Sequence, residues 1–324
     1  MIAAWSRVWP EYSAEALLNS AMGLSATDIF LLLTSHGGAY YGSSAVTSRD
    51  LAGRIKEIAS RSAEVGIRLH AWITPLRLGT LHRHLYVVNR LGASAYDSPP
   101  YVDNYKFLCP SRDDSLDLAV RALSEAAELA EFYGVHLGYL HYPELPLPPA
   151  LAKKYGVAQY DPAYDYCYCD VCGVKFKAET GLDIREAPRG LFLSWRAKSL
   201  ARYVSSLAAE ARRLGFKAVS AHVHPDPQYA FEAAGQRWWT WGLDFYVITA
   251  YRSDWGGDLE WVRRVSTSSA QLGPVVIGLR ASELAPGDLK ALADLKGGNI
   301  LGVSIFQVPI EVPQWLGKEI RLWA

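Results

Sequence analysis

The sequence lacks the features that mark several large classes of protein. Its 33 Lys and Arg residues are balanced by 33 Asp and Glu residues, so it has no net charge and no general attraction for phosphate or anionic lipid. This balance argues against a nucleic-acid-binding or membrane-surface protein. The longest apolar run, Ile29–Leu33, is far shorter than the roughly 18–20 residues of a membrane-spanning helix. The N-terminal residues show no charged segment followed by an apolar one, so we expect no signal peptide and a cytoplasmic location.

Heat-labile side chains are also scarce. The chain of 324 residues has four Asn, six Gln and two Met, a composition that points towards a thermophilic source. Half of the residues are apolar and one fifth are charged. Such a chain is long enough to bury a large core, and its composition excludes a disordered, collagen-like or coiled-coil protein.

Short apolar segments with β character alternate with helical patterns along the chain. Alternation of this kind predicts βαβ units and a parallel sheet. The predicted strands are Ile2–Trp5, Asp28–Thr34, Ile67–Ile73, Gly134–Leu140, Ala218–Val223, Phe245–Ala250, Val275–Leu279 and Leu301–Phe306. The predicted helices are Ser13–Met22, Ser48–Val65, Asp114–Phe132, Leu191–Leu214, Leu259–Ser268 and Ala285–Leu295.

Eight strands in a chain of this length predict a (β/α)₈ TIM barrel. No strand is followed by G-x-G-x-x-G, which removes the dinucleotide-binding alternative. No linker is visible, so we expect residues 1–324 to form a single barrel domain. Two long segments, Leu76–Ser111 and His141–Pro188, follow the third and fourth strands. Loops after barrel strands lie at the C-terminal face, where barrel enzymes carry their active sites, and these two should shape a cleft there.

The cysteines form one candidate metal site. Cys167, Cys169 and Cys172 are spaced as C-x-C-x-x-C, and Cys109 lies upstream in the other long loop. Four thiolates complete a closed tetrahedral Zn²⁺ site, which is structural because no position is left for water. A disulfide with two thiols, or four unlinked thiols, are the alternatives; a cytosolic chain disfavours disulfides.

The same residues carry a resemblance to known proteins. The run Tyr166–Cys172, followed by Phe176 and Thr180-Gly181, resembles the zinc-binding insertion of family-42 β-galactosidases. In that family an earlier cysteine after the third barrel strand supplies the fourth ligand, which is where Cys109 stands. More widely, Gly134–Pro143 is similar to the run G-I-H-L-D-Y-I-R-Y-P of glycoside-hydrolase-like barrels of bacteria and archaea. Further similarity lies at Trp195-Arg196, Gln236–Trp241 and Ala250-Tyr251.

One departure from that group affects the chemistry. Its members have an aspartate at the end of the fourth strand and an arginine soon after it, whereas this chain has Gly138 and His141. The carboxylate expected from the resemblance is therefore absent, so either another acid has replaced it or hydrolysis has been lost.

Glycoside hydrolysis needs two carboxyl groups, one to protonate the leaving oxygen and one to act as nucleophile or base. Three acids follow the predicted strands at the C-terminal face: Glu144 after the fourth, Asp254 after the sixth and Glu283 after the seventh. The resemblance to family 42 and its clan implies Glu144 as acid/base and Glu283 as nucleophile. The positions of the residues along the chain, taken without the resemblance, favour Glu144 and Asp254 as the two catalytic carboxyl groups. Alternatively, Asp254 caps a helix that begins near Gly256, and Glu283 is a solvated residue near a helix start.

Aromatic and histidine side chains supply a binding surface. Flat rings stack on the apolar faces of sugars, and polar neighbours bind the hydroxyl groups; the competing interpretation of each ring is a core position. The aromatic residues at or beyond strand ends are Trp5, Trp9, Tyr40, Tyr41, Trp72, Tyr139, Tyr142, Tyr251 and Trp255. The predicted substrate-binding set is Trp5, His36, Tyr40, His70, Trp72, Tyr142, His222, His224, Tyr251 and Trp255.

The sequence thus predicts a glycosidase that binds a carbohydrate substrate and contains one structural zinc ion. The first alternative is a barrel that binds carbohydrate without catalysis. The second is a metal-dependent hydrolase of a non-sugar bond, since His222 and His224 flank a strand end; it predicts a second metal ion beyond the four cysteines.

Overall fold

Eight parallel strands close into a barrel in the computed structural model, which describes residues 1–8 and 11–324. Each strand pairs with its neighbours in the chain, and the first pairs with the last. The strands are Ile2–Arg7, Asp28–Leu32, Arg68–Ile73, Gly134–Leu137, Ala218–Val223, Phe245–Thr249, Val275–Arg280 and Ile300–Val308.

Helices surround the barrel. The helices that connect successive strands or follow the last one are Ala14–Gly23, Ala52–Glu64, Asp113–Leu129, Arg189–Arg213, Pro227–Ala234, Leu259–Ala270, Asp288–Ala291 and Gln314–Glu319. Three further short helices are Pro149–Tyr155, Asp170–Thr180 and Arg252–Trp255. Within the described residues, no helix is both long enough and apolar enough to cross a membrane.

The predicted (β/α)₈ fold is confirmed, and each predicted strand is a barrel strand. Their ends differ by a few residues, most at the fourth, where regular pairing stops at Leu137 rather than Leu140. The predicted helix Ala285–Leu295 is wrong in extent: only Asp288–Ala291 is α-helical, and a 3₁₀ turn follows at Ala293–Leu295. Gly287 has φ of +96° directly before that helix, a left-handed conformation that does not belong to an α-helix.

Side chains alternate along each strand between an outer layer, which packs against the helices, and an inner layer inside the barrel. On the third strand, Leu69, Ala71 and Ile73 pack outward against the helices. Trp72 points inward and packs with Trp5 and Phe30 from the first two strands. The inward-facing side chains, His70 among them, place polar and aromatic groups along the barrel axis.

The long segments after strands three and four lie against each other. Tyr168 N donates to Val88 O at 2.7 Å, and Val88 N donates to Cys167 Sγ at 3.3 Å. The backbone of Asn89 also bridges to Tyr166. The two segments therefore support one another beside the C-terminal ends of the strands.

Candidate active site

A cavity of about 350 Å³ opens where the barrel strands end. Its walls combine aromatic rings with two carboxylates, three imidazoles and two guanidinium groups. The lining residues are Trp5, Arg7, Trp72, Tyr105, Tyr139, His141, Glu144, Pro148, Leu151, His222, His224, Thr249, Tyr251, Asp254, Trp255, Arg280 and Phe306. A concave, largely aromatic site with a few converging charged groups is typical of a ligand-binding pocket.

Glu144 lies in the wall of the cavity, and its residue surface is only 6% exposed. The Tyr105 hydroxyl donates a hydrogen bond to Oε2. Oε1 is 3.3 Å from Nε2 of His224, and Oε2 is 3.9 Å from Nδ1 of His141. The backbone carbonyl of Glu144 accepts from the Tyr101 hydroxyl. Two tyrosines of the loop after strand three thus hold Glu144, one through its carboxylate and one through its backbone carbonyl.

The surroundings of Glu144 favour its ionised form. Burial acts to raise the pKa of Glu144, but the neighbouring His141 and His224 and the Tyr105 hydroxyl outweigh it and lower the pKa to about 2. Burial also lowers the pKa of His141 to about 4. A carboxylate that accepts hydrogen bonds is stabilised as the anion. At neutral pH the cavity therefore presents Glu144 as a carboxylate beside neutral His141.

Asp254 enters the cavity from another side, as part of an ion-pair network. Arg280 donates to Asp254 in bidentate fashion at 3.1 and 3.0 Å. Its Nη1 also donates to Oε1 of Glu283 at 3.0 Å, and Glu283 Oε2 accepts from Arg252 N at 2.7 Å. Arg280 further stacks over the Tyr251 ring, 4.5 Å from its centroid. Glu283 does not line the cavity; it positions the arginine that holds Asp254.

The capping alternative for Asp254 is wrong. The helix Leu259–Ala270 is capped by Asp258, whose side chain accepts from Trp261 N at 2.8 Å. Asp254 instead lies inside the short helix Arg252–Trp255, with its carboxylate on Arg280.

Gly138 has no room for a side chain. A Cβ atom built on it would lie 2.5 Å from Trp72 Nε1 and 2.7 Å from His222 Cε1, distances that real Cβ contacts essentially never show. The next residue, Tyr139, has φ of +53° and donates its N–H to His222 Nε2 at 3.1 Å. Trp72 Nε1 and His222 Nδ1 are buried without a hydrogen-bond partner among the described residues. Two aromatic rings thus fill the place where the resembling barrels have an aspartate.

The four cysteines form one buried cluster, as predicted. None of the four forms a disulfide, and their Sγ atoms all lie within 4.8 Å of one another. Cys109 Sγ is 3.8 Å from Cys169 Sγ, 3.5 Å from Cys172 Sγ and 3.8 Å from Cys167 Sγ. Disulfide sulfurs are about 2.0 Å apart, so no disulfide joins these cysteines in the structure. The cluster is a place where a metal ion could bind.

A buried arginine joins the cysteine loop to the cavity wall. Arg196 has no exposed surface, and its guanidinium donates to Tyr166 O at 2.8 Å and to Ala233 O at 3.1 Å. The same guanidinium lies over the Tyr142 ring, 4.8 Å from its centroid. Since Tyr142 is two residues before Glu144, the cysteine cluster and the candidate catalytic carboxylate share one support.

Some of the site residues predicted from the sequence line the cavity. Both favoured carboxylates, Glu144 and Asp254, line it. Of the predicted substrate-binding residues, those in the cavity wall are Trp5, Trp72, His222, His224, Tyr251 and Trp255. Trp9 lies outside the described residues.

Four predicted substrate-binding residues lie elsewhere. His70 is fully buried and bonded through Nε2 to Asp28 at 2.9 Å; Tyr142 is fully buried under Arg196. His36 lines a separate pocket with Asp103 and Lys106, and Tyr40 bonds Ser35 at 3.3 Å outside the cavity. His70 points inward but lies deep in the barrel, and alternation along a strand does not tell how far along the barrel axis a residue lies.

Sequence reasoning did not select several residues of the wall. Tyr105 comes from the long loop after strand three, and His141 replaces an arginine of the resembling barrels. Arg280 and Phe306 lie near the ends of the seventh and eighth strands, where the strand-end position could have identified them. Tyr105 offered no such signal, since an irregular loop does not fix the direction of its side chains.

No protein-family profile matches the sequence, and no curated protein matches it either. Solved structures are similar in fold. The PgaB (BpsB) glycoside hydrolase domain from Bordetella bronchiseptica superposes with a TM-score of 0.72 at 14% identity, over 94% of this chain and 93% of that one. An α-L-fucosidase isoenzyme 2 from Paenibacillus thiaminolyticus gives 0.63 at 12% identity, over 99% and 48%. The GH36 α-galactosidase AgaA from Geobacillus stearothermophilus gives 0.55 at 10%, over 99% and 41%.

Proposed function

We propose that this barrel hydrolyses a glycosidic bond in its cavity, with Glu144 and Asp254 as the pair of carboxylates. The observation that carries the proposal is their shared position: among the described residues, they are the acids that line a cavity walled by tryptophan and tyrosine rings. Aromatic walls suit the apolar faces of a sugar. Two carboxyl groups are what the reaction requires.

The electrostatics suggest how the roles divide. A pKa of about 2 keeps Glu144 ionised at neutral pH, which suits a nucleophile or a base rather than the acid/base role implied by the resemblance. Proton donation then falls to Asp254, whose side chain is 24% exposed against 8% for Glu144. Arg280 opposes that role while it holds Asp254, so we expect bound substrate to loosen this pair before a proton is transferred.

The structural neighbours support this substrate class. They include glycoside hydrolases that cleave different sugars on a barrel of the same fold. Fold alone does not carry chemistry, so the proposal depends on the cavity of this chain.

The test is turnover of aryl glycosides and oligosaccharides by the wild type, Glu144→Gln and Asp254→Asn. Loss of a carboxylate that exchanges a proton costs about 10²–10⁴-fold in rate, and we expect at least this for each variant. Glu186→Gln, at an exposed acid, is the control and should retain full activity. Equal turnover by the wild type and Glu144→Gln would remove Glu144 from the reaction.

The second candidate is a barrel that binds carbohydrate without cleaving it. The filled space over Gly138 favours it, because the acid of the resembling barrels is absent and has no room to return. Calorimetric binding of an oligosaccharide with no turnover across the panel would support this alternative over hydrolysis.

We also propose that the cysteine cluster binds Zn²⁺ as a closed structural site. A tetrahedron with Zn–S bonds of about 2.3 Å has edges of about 3.8 Å, and the three separations from Cys109 Sγ, 3.5–3.8 Å, fit that edge. Cys172 N donates to Cys169 Sγ at 3.5 Å, in addition to the bond from Val88 to Cys167, which gives the thiolates further support.

The zinc proposal is tested by Cys172→Ser. We expect the variant to lose the thiolate-bound ion in elemental analysis and to unfold at a lower temperature, because metal binding free energy contributes directly to folding. Val174→Ser, at an exposed position of the same helix, is the control. Unchanged zinc content in Cys172→Ser would contradict the proposal.

A further inference from the structure

Glu144 is also the centre of a second group of metal-binding side chains. His141, Glu144 and His224 each offer one ligand atom, and the three atoms lie within 4.8 Å of one another. They come from the loop after strand four and the end of strand five. None of them belongs to the cysteine cluster.

The spacing suits a first-row metal ion. Bonds of about 2.0–2.2 Å to nitrogen and oxygen give tetrahedral edges of about 3.3–3.6 Å. His224 Nε2 and Glu144 Oε1 are 3.3 Å apart, within that range. His224 Nε2 is buried, and its 3.3 Å approach to Glu144 Oε1 does not have hydrogen-bond geometry. A metal ion would satisfy this nitrogen without a large movement of the carboxylate.

Surrounding hydrogen bonds support the two histidines. His141 Nδ1 is 2.8 Å from Tyr142 O, and since a carbonyl only accepts, Nδ1 carries the proton and Nε2 keeps its lone pair. The backbone N–H of His224 donates to Gln236 Oε1 at 3.0 Å, and Gln236 Nε2 donates to Leu140 O at 3.0 Å. Supporting bonds of this kind, from ligand to backbone carbonyl, are a regular feature of metal sites.

The set also leaves a coordination position open. All three residues line the cavity, so a fourth ligand can reach the ion from the cavity side. Two imidazoles and one carboxylate are a donor set that suits Zn²⁺, Co²⁺ or Ni²⁺, and three protein ligands with an open position differ from the closed set of four thiolates.

We propose that His141, Glu144 and His224 bind a divalent transition-metal ion, and that this ion inhibits glycoside hydrolysis in the same cavity. A carboxylate that coordinates a metal has its oxygen lone pair engaged and cannot act as nucleophile or base. The inhibitory half rests on the proposed function of Glu144; the binding half does not.

Cobalt binding tests the site itself. Protein with zinc already bound at its cysteines is titrated with Co²⁺, and the visible and near-ultraviolet spectra are recorded. We expect one further ion with ligand-field bands and without thiolate charge-transfer absorption. His141→Gln and His224→Gln should weaken its binding at least 10-fold, and His82→Gln, at an exposed histidine, should not. Binding unchanged in both cavity variants, or thiolate absorption alone, would overturn the proposal. Both histidine variants are checked for folding by circular dichroism, so that the test still stands if one of them does not fold.

Zinc inhibition tests the second half. Added Zn²⁺ should reduce glycoside turnover by the wild type at least 10-fold, while the residual activity of His224→Gln should not respond to the same concentration. Turnover that requires added metal would overturn inhibition and indicate a metal-dependent hydrolase. If no glycoside is cleaved, the proposed hydrolysis and its inhibition fall together, and the cobalt titration alone decides the metal site.

Discussion

The crowded position of Gly138 gives the sharpest test of the cavity's construction. Gly138→Ala adds a single methyl group 2.5 Å from Trp72 Nε1 and 2.7 Å from His222 Cε1. Neither ring can move freely, because Trp72 packs edge-on against Trp5 with ring centroids 4.7 Å apart and against His222 at 5.9 Å. The methyl group therefore has to displace packed rings at the floor of the cavity.

The expected size follows from packing energetics. Adding a methyl group to a close-packed core costs about 1–3 kcal/mol. Unfolding entropy of about 2.1 cal/mol/K per residue over 324 residues converts this to a fall in Tm of about 1.5–4.5 °C. Displaced Trp72 and His222 should also weaken any ligand that binds beside them.

Gly53→Ala is the matched control. Gly53 is in the helix Ala52–Glu64, and its Cβ would meet nothing within 4 Å. Replacing glycine by alanine at a compatible site stabilises by about 0.4–1 kcal/mol, so Tm should rise in this variant and fall in Gly138→Ala. Differential scanning calorimetry of both variants measures the two signs. A Tm for Gly138→Ala at or above that of the wild type would refute the argument that the space is filled.

Two further predictions concern charge. Arg280→Lys removes the bidentate hydrogen bonds to Asp254 and should lower turnover about 10–100-fold, because that carboxylate is then misplaced. Arg263→Lys, at the comparable surface pair with Asp294, is the control and should leave turnover unchanged. Equal losses of turnover in both variants would contradict a role specific to the cavity. Burial lowers the pKa of His136 well below its usual value, so below pH about 6.5 the unfolded chain takes up a proton that the folded barrel does not. The free energy of unfolding should therefore fall with acidity, at up to about 1.4 kcal/mol per pH unit. Urea unfolding from pH 7 to 4 should show a shallower decline in His136→Gln, and an identical decline would exclude His136 as a source of the pH dependence.

The barrel could be predicted because its strands are buried on both faces. Runs such as Ala218–Val223, which the structure matches residue for residue, are mostly apolar and are separated by segments with helical periodicity. Pro149–Tyr155 and Asp170–Thr180 were not predicted as helices. They lie in the long loop after strand four, where short helices are stabilised by local contacts and the cysteine cluster rather than by an amphipathic pattern.

The residues of the candidate site could be predicted only where they directly follow a barrel strand, because the strand end then fixes their position. Glu144 and Asp254 follow strands directly, so their meeting at one cavity could be inferred. Tyr105 reaches Glu144 from another loop, more than thirty residues away in sequence. That contact depends on how two loops pack together, which spacing along a chain does not encode.

The pairing of the first strand with the last bears on how the chain folds during synthesis. Ile2 lies opposite Val303, and Trp5 Nε1 donates to Ser304 Oγ at 3.0 Å. Until the eighth strand is made, one edge of the first strand has unpaired backbone groups, and such an edge readily pairs with other chains. A nascent chain that stops before residue 300 should therefore remain open and prone to aggregation, and only the arrival of the final strand closes the barrel.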